Sequence, residues 1–235
     1  MKLTLDQMNS ACTDVVPASK DAVCFIVGAG EISPKLALNL RPDDLLIAAD
    51  GGWQAVERMG LAPHLVIGDF DSLGRRPDHP NTVVLPTVKD DTDMCAAIKL
   101  GRERGYTRFA LYGGTGGRLA HTLANLQLLD GLARQGCRGF LVGEGTISAA
   151  VYNGELNFSA HMSGYLSVFS NSGTADGVTL RGLKYELSNA QLTGSFPLGV
   201  SNEFTGVPAR VAVAEGSLLV LWQGEDVEET LLRTL

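Results

Sequence analysis

The arrangement of apolar and polar positions changes once along the chain, near residue 145. Between residue 22 and about 144, the short apolar runs AVCFIVGAG, DLLIAADGG, HLVIGDFDS, NTVVLP, RFALYGGTGG and GFLVGEG alternate with stretches of helical spacing. Strands buried on both faces read as continuous apolar runs, and their alternation with helices predicts an α/β fold with a mainly parallel sheet. The predicted helices are Trp53–Met59, Thr92–Arg104 and Leu119–Arg134, with Gly60, Gly105 and Gly136 standing where C-terminal stops belong. After Gly145 the chain turns to short alternating segments, GYLSVFS, GVTLRG, ARVAVAE and SLLVLWQ, separated by Asn-Ser-Gly, Asp-Gly and Glu-Gly turns. That texture predicts an all-β sandwich or barrel. The expected organisation is therefore an α/β domain over 1–144 and a C-terminal all-β sandwich domain over 145–235. Residues 1–20 carry no motif and are expected to form a disordered arm.

Composition narrows the classes of partner. The 235 residues are 45% hydrophobic and 19% charged, which excludes a disordered chain or a coiled coil. With 26 acidic and 19 basic residues the formal charge is -7, so no global field attracts nucleic acid or an anionic membrane. A polyanionic ligand then needs a local device, such as a metal ion or a helix N-terminus. Cys12, Cys24, Cys95 and Cys137 form no Cys-x-x-Cys pair, signalling neither a zinc site nor a disulfide framework. The N-terminal MKLTLDQMNS lacks the apolar stretch of a signal peptide, and no apolar run is long enough to span a bilayer, so a cytoplasmic protein is expected.

Nearly all the apolar runs of the first part end in Gly, Asp or Pro, at the edge where open α/β sheets bind ligands. One cluster is Gly68-Asp69-Phe70-Asp71-Ser72. If extended backbone continues through it, Asp69 and Asp71 face the same way, about 7 Å apart, and call for a cation such as Mg²⁺ between them. Lys89-Asp90-Asp91-Thr92-Asp93 opens a helix, where capping accounts for one or two of these residues but not for three carboxylates and a lysine. Asp50, before Gly51 and Gly52, brings a further acid to the same edge. Gly113-Gly114-Thr115-Gly116-Gly117-Arg118 joins a strand to a helix and suits an anion, with Arg118 as a bidentate donor. It is not a Walker A loop, and Gly28-Ala29-Gly30 lacks the third glycine of a dinucleotide fingerprint. Taken together, these clusters describe a metal and nucleotide site. The histidines show no metal-ligand spacing, and His64, His79 and His161 are expected at surface or turn positions.

Taken in order, Asp50-Gly51-Gly52, Gly68-Asp69-Phe70-Asp71-Ser72, Lys89-Asp90-Asp91-Thr92-Asp93, Gly116-Gly117-Arg118-Leu119-x-His121-Thr122-Leu123-Ala124-Asn125 and Ser201-Asn202-Glu203 resemble the motif series of thiamine pyrophosphokinases of bacterial type. The resemblance implies transfer of diphosphate from ATP to thiamine, giving thiamine diphosphate and AMP. It implies Mg²⁺ held by Asp69, Asp71 and Asp93, with Asp50 nearby, and Lys89, Thr92, Arg118, Gly51, Gly52, Gly116 and Gly117 along the nucleotide. Asp71, Asp93 and Arg118 are the implied catalytic residues, with Asp71 or Asp93 a candidate to take the hydroxyl proton alongside a phosphate oxygen or metal-bound water. Tyr185, Ser201 and Asn202 are the implied thiamine contacts, carried by the β domain in a homodimer whose subunits share their sites. One departure stands out: Ala120 occupies the position where the family usually carries Asp. A pyrophosphokinase for another hydroxymethyl heterocycle such as a pterin, a degenerate nucleotide-binding member and an aspartate-nucleophile phosphatase are the alternatives.

Overall fold

The computed structural model describes residues 17–34, 36–71, 74, 76–143 and 145–233. Residues 1–16 of the expected arm, and Ser72, lie outside the described residues. The chain divides into two compact units, residues 1–125 with 142–144, and residues 126–141 with 145–235.

The first unit contains β1 (Val23–Val27), β2 (Leu45–Ala49), β3 (Leu65–Gly68), β4 (Thr82–Val84) and β5 (Arg108–Tyr112), laid out in the order β5-β1-β2-β3-β4. Every neighbouring pair is parallel. Strands β1, β2, β3 and β5 are buried at every position, which is why they read as unbroken apolar runs. Helices α1 (Gly52–Arg58), α2 (Asp93–Glu103) and α3 (Leu119–Arg134) match the predicted ones to within a residue at each end. Each ends at its expected glycine, Gly60, Gly105 and Gly136, with φ of 70°, 92° and 70°. The next residue's N–H reaches back to Val56, Gly101 and Leu132 respectively, so all three stops are left-handed caps that satisfy helix-end carbonyls.

The second unit holds β6 (Arg138–Gly143) up to Leu141, β7 (Thr146–Tyr152), β8 (Glu155–Phe158), β9 (Tyr165–Ser170), β10 (Thr174–Arg181), β11 (Leu187–Thr193), β12 (Gly199–Glu203), β13 (Ala209–Ala212) and β14 (Ser217–Gln223), followed by the short α4 (Glu229–Arg233). Antiparallel ladders run β12-β9-β14-β7, and a separate four-stranded antiparallel sheet runs β11-β10-β13-β8. Phe158 of β8 meets Trp222 of β14 edge-on at 5.2 Å, and Phe140 of β6 meets the same indole at 6.2 Å. This unit reaches back before residue 145 for identifiable reasons. Asp130 accepts a hydrogen bond from Ser217, and the Arg134 guanidinium lies 4.6 Å from the Tyr152 ring centroid. The second half of α3 is thereby tied to β7 and β14. Among the described residues, no helix is long and apolar enough to cross a membrane.

One buried acid locks the first unit's sheet. Asp44 is fully buried, and its carboxylate accepts the Val23 N–H and the Arg41 N–H, each at 2.8 Å. Asp44→Ala strands both donors, and we expect chemical denaturation to show a loss of about 2–4 kcal/mol.

Candidate functional site

The strand-end glycines of the first unit work in pairs. Beyond β1 and β5, Gly28 N–H donates to the Tyr112 carbonyl and Gly30 N–H to the Gly113 carbonyl, each at 2.8 Å. A Cβ on Gly30 would lie 2.4 Å from the Thr115 carbonyl oxygen, and one on Gly113 would lie 2.4 Å from that of Gly28. Gly28-Ala29-Gly30 is therefore not a dinucleotide loop but a seam where two backbones touch. The seam lines one wall of a cavity of about 590 Å³.

The other walls gather residues that are far apart in sequence. Asp50, Asp69, Asp71, Lys89, Thr92, Asp93, Gly117 and Arg118 all line this cavity. The carboxylate pair arrives there differently from the extended reading. Strand β3 ends at Gly68, and Phe70 has φ of 58°, so the chain turns between Asp69 and Asp71. The Phe70 ring is buried, anchoring the turn, while the Asp71 N–H donates to Asp69 Oδ1 at 3.4 Å. Asp69 is withdrawn from water and Asp71 is exposed.

Lys89 is the hub of the charges. Its Nζ lies 2.7 Å from Asp69 Oδ2 and 3.0 Å from Asp93 Oδ1. The hydrogen bond from Lys89 holds Asp69 below the ordinary carboxylate range. Burial pushes Asp93 upward, and Lys89 opposes that push. For Lys89 itself, burial disfavours the ammonium, but the two carboxylates outweigh it and hold its pKa above the usual value. Thr92 is the N-cap of α2, its hydroxyl oxygen accepting the Cys95 N–H at 3.1 Å, as the capping expectation required.

Some expected residues are placed otherwise. Gly51, Gly52 and Gly116 are not among the residues lining the cavity. A Cβ on Gly52 would lie 1.9 Å from the Val27 carbonyl oxygen, so this glycine serves the packing of α1 against the end of β1. Ala120 is exposed, and its neighbour His121 lines the cavity together with Thr122 and Asn125. All three belong to the motif that runs from Gly116 to Asn125, in which the expected site roles fell on Gly116, Gly117 and Arg118. In the second unit, Asn202 Oδ1 accepts the N–H groups of Tyr185 and Glu203, each at 2.9 Å, and its Nδ2 donates to the Tyr185 carbonyl at 2.7 Å. Asn202 thus fixes the backbone of Tyr185, a residue 59% exposed. Ser201 is exposed, with φ of 58°, and its N–H donates to Ser167 Oγ at 3.1 Å.

Among the described residues, no three acidic, histidine or cysteine side chains converge into a ready-made metal cage. The donor chemistry nonetheless suits Mg²⁺, which takes one or two carboxylates and completes its shell with water and substrate phosphates. Asp50, Asp69, Asp71, Asp91 and Asp93 face Lys89 and Arg118 around the cavity, an acid excess that a polyphosphate meets only with an added cation.

Lys89 lowers the proton affinity of both Asp69 and Asp93, so its stabilising effect requires them ionised. We expect Lys89→Gln to lose most stability relative to wild type near neutral pH. The gap should close as the pH falls through the folded-state carboxylate pKa values, as measured by denaturation from about pH 7 to pH 2.

Comparison with known proteins covers both units. A family model described as the thiamin pyrophosphokinase catalytic domain matches residues 37–141, and one described as the thiamin pyrophosphokinase vitamin B1 binding domain matches residues 155–218. Thiamine pyrophosphokinase of Bacillus subtilis is 27% identical over 201 residues, 83% of this chain and 94% of that protein. Its crystal structure superposes with a TM-score of 0.77 at 26% identity, covering 87% of this chain and all of that one. That of thiamin pyrophosphokinase from Geobacillus thermodenitrificans gives 0.74 at 28% identity, covering 87% and 98%. The yeast enzyme, 14% identical with a TM-score of 0.64, shares the fold. Since the matched stretches run through every cavity segment from Asp50 to Arg118 and on through Tyr185 and Asn202, the chain belongs to the thiamine pyrophosphokinase family.

Proposed function

We propose that this chain transfers diphosphate from ATP to the hydroxyethyl oxygen of thiamine, giving thiamine diphosphate and AMP. The observation that carries the reading is the single cavity uniting Asp50, Asp69, Asp71, Lys89, Asp93 and Arg118 from four separate segments. Attack at a phosphorus ringed by anionic oxygens needs charge neutralisation and in-line positioning more than covalent help. Asp69, Asp71 and Asp93 would hold Mg²⁺, which supplies positive charge against the phosphate oxygens. Lys89 and Arg118 donate to those oxygens. Thr92 keeps its hydroxyl proton to donate while its oxygen caps α2. A Cβ on Gly117 would meet nothing within 4 Å, which leaves its backbone open to an anion. Asp71 and Asp93 are the carboxylates offered to the departing hydroxyl proton.

In this reading the first unit holds metal and nucleotide, and the second is a β-sandwich that presents Tyr185 to the cationic thiazolium. The meeting of Phe158 and Trp222 between its two sets of strands supports the sandwich. A homodimer with sites shared between subunits is part of the same proposal. It is supported by apolar side chains left in water on the second unit, with Tyr165 54%, Phe196 65% and Leu198 50% exposed. The absence of a membrane-crossing helix among the described residues suits a cytoplasmic setting.

Mass spectrometry of products from ATP, Mg²⁺ and thiamine is expected to show AMP and thiamine diphosphate. Inorganic phosphate as the only product would point to a phosphatase instead, and ester formation only with a pterin alcohol to a different acceptor. Asp71→Asn is expected to be nearly inactive. Tyr185→Ala is expected to raise KM for thiamine by about 2–30-fold with kcat little changed, the span that a cation–π contact supplies.

A further inference from the structure

The ammonium of Lys89 occupies the space between two carboxylates that the functional reading assigns to Mg²⁺. The two come from different segments: Asp69 follows β3, and Asp93 opens α2. Lys89 reaches both at 2.7 and 3.0 Å, and the side chains of Lys89, Asp69 and Asp93 are only 13, 12 and 24% exposed. This is a half-buried ion triad rather than a surface pair, and its members depend on one another. Removing the partners of a withdrawn ammonium is costly unless another anion takes their place. A divalent ion arriving alone would displace Lys89 from the two carboxylates that hold it at 2.7 and 3.0 Å. The other acids lining the cavity are Asp50, Asp71 and Asp91, so the ammonium would exchange a close two-carboxylate seat for whichever of these it can reach, with Arg118 as a like charge nearby. A polyphosphate changes that balance, because its oxygens accept the ammonium while the divalent ion takes the carboxylates.

We propose that Lys89 is a resident counter-cation that excludes a divalent metal from Asp69 and Asp93 until a polyphosphate draws the ammonium away, so that the metal enters with the nucleotide and not before it. The proposal rests on the ATP-using reading above and adds an order of entry and the residue that imposes it.

Mn²⁺ serves as the probe, since its free fraction is counted by electron paramagnetic resonance without any turnover. In nucleotide-free protein, Lys89→Met is expected to bind Mn²⁺ about tenfold or more tightly than wild type, because two carboxylates lose their neutralising partner. Lys89→Arg retains the charge and is expected to stay close to wild type. Wild type is expected to gain a tight Mn²⁺ site only when α,β-methylene-ATP, which cannot release AMP, is added. Equal Mn²⁺ affinities in wild type and a folded Lys89→Met overturn the role of Lys89. Should Lys89→Met not fold, the wild-type titrations decide. A site in nucleotide-free wild type as tight as that with the analogue overturns the proposal, and a protein-bound site that appears only with the analogue, counted beyond the Mn²⁺ that the analogue binds in buffer alone, upholds it. Failure of wild type to bind the analogue at all sinks the ATP reading, and the order of entry with it. The two failures are thus distinguishable.

Discussion

At the carboxyl ends of β1 and β5 the ladder of backbone hydrogen bonds continues past the strands, because Gly28, Gly30 and Gly113 carry no side chain to hold the two loops apart. Any Cβ at these positions would sit on a neighbouring carbonyl, and backbone meeting backbone gives it nowhere to move. Closure of the seam fixes where Gly114 and Thr115 run, and hence where α3 starts and where Arg118 stands. A second close approach, Gly52 against Val27, sets the start of α1 against the end of β1 and holds Asp50 at the cavity. Much of what looks like a phosphate-binding glycine pattern is therefore packing. What the packing leaves open toward the cavity lies at Gly117 and along the first turn of α3.

With that scaffold in place, charge decides what the cavity accepts. After position 145 the chain has four basic residues, Arg181, Lys184, Arg210 and Arg233, and each is paired with a glutamate. Pairs as exposed as Arg181–Glu186 and Arg210–Glu155 contribute little stability, but they commit the positive charge of that stretch to its own acids. The cations facing the cavity belong to the first unit, and Lys89 among them is held by carboxylates inside the cavity itself. An acidic protein thus meets a polyanion through a few local charges, whatever its overall charge.

How far the sequence spoke depended on burial. β1, β2, β3 and β5 were legible because strands with every position buried leave an unbroken apolar signature, and the helix stops because glycine at a left-handed cap has few substitutes. β11 was not legible: one of its seven residues is buried, so LSNAQLT shows no alternation. β12 was hidden by an irregular register between Gly199 and Asn202, with Ser201 out of line. The change of texture at 145 was legible, but the membership of 126–141 in the second unit was not, since the ties that draw Asp130 and Arg134 toward β14 and β7 are long-range and leave no local mark. The clusters of Asp, Lys and Gly were legible as a candidate site because phosphate and metal chemistry favours those residue types, and most of them line one cavity. The role of Asn202 stayed concealed, because an amide that braces a neighbouring backbone looks the same in sequence as one that greets a ligand.

The least legible feature was the backbone at Phe70. Among the described residues, five other than glycine have positive φ, and two of them, Asn153 and Asn189, are of a type that tolerates it. The other three, Asp50, Phe70 and Ser201, all fall in segments of the family motifs. A bulky residue in the left-handed region costs on the order of 1–3 kcal/mol, and such strain persists only where surrounding structure over-determines it. Here the buried Phe70 ring, with Gly68 bare beneath it and the backbone of Asp50 alongside, supplies that constraint. An unstrained extended strand would carry Asp69 and Asp71 outward together on one face. The turn instead withdraws Asp69 to meet Lys89 and leaves Asp71 in water, so two acids separated by one residue acquire different electrostatic surroundings. The strain is what makes the pair unequal, and an unequal pair can both anchor a lysine and present a carboxylate free to respond to an incoming charge.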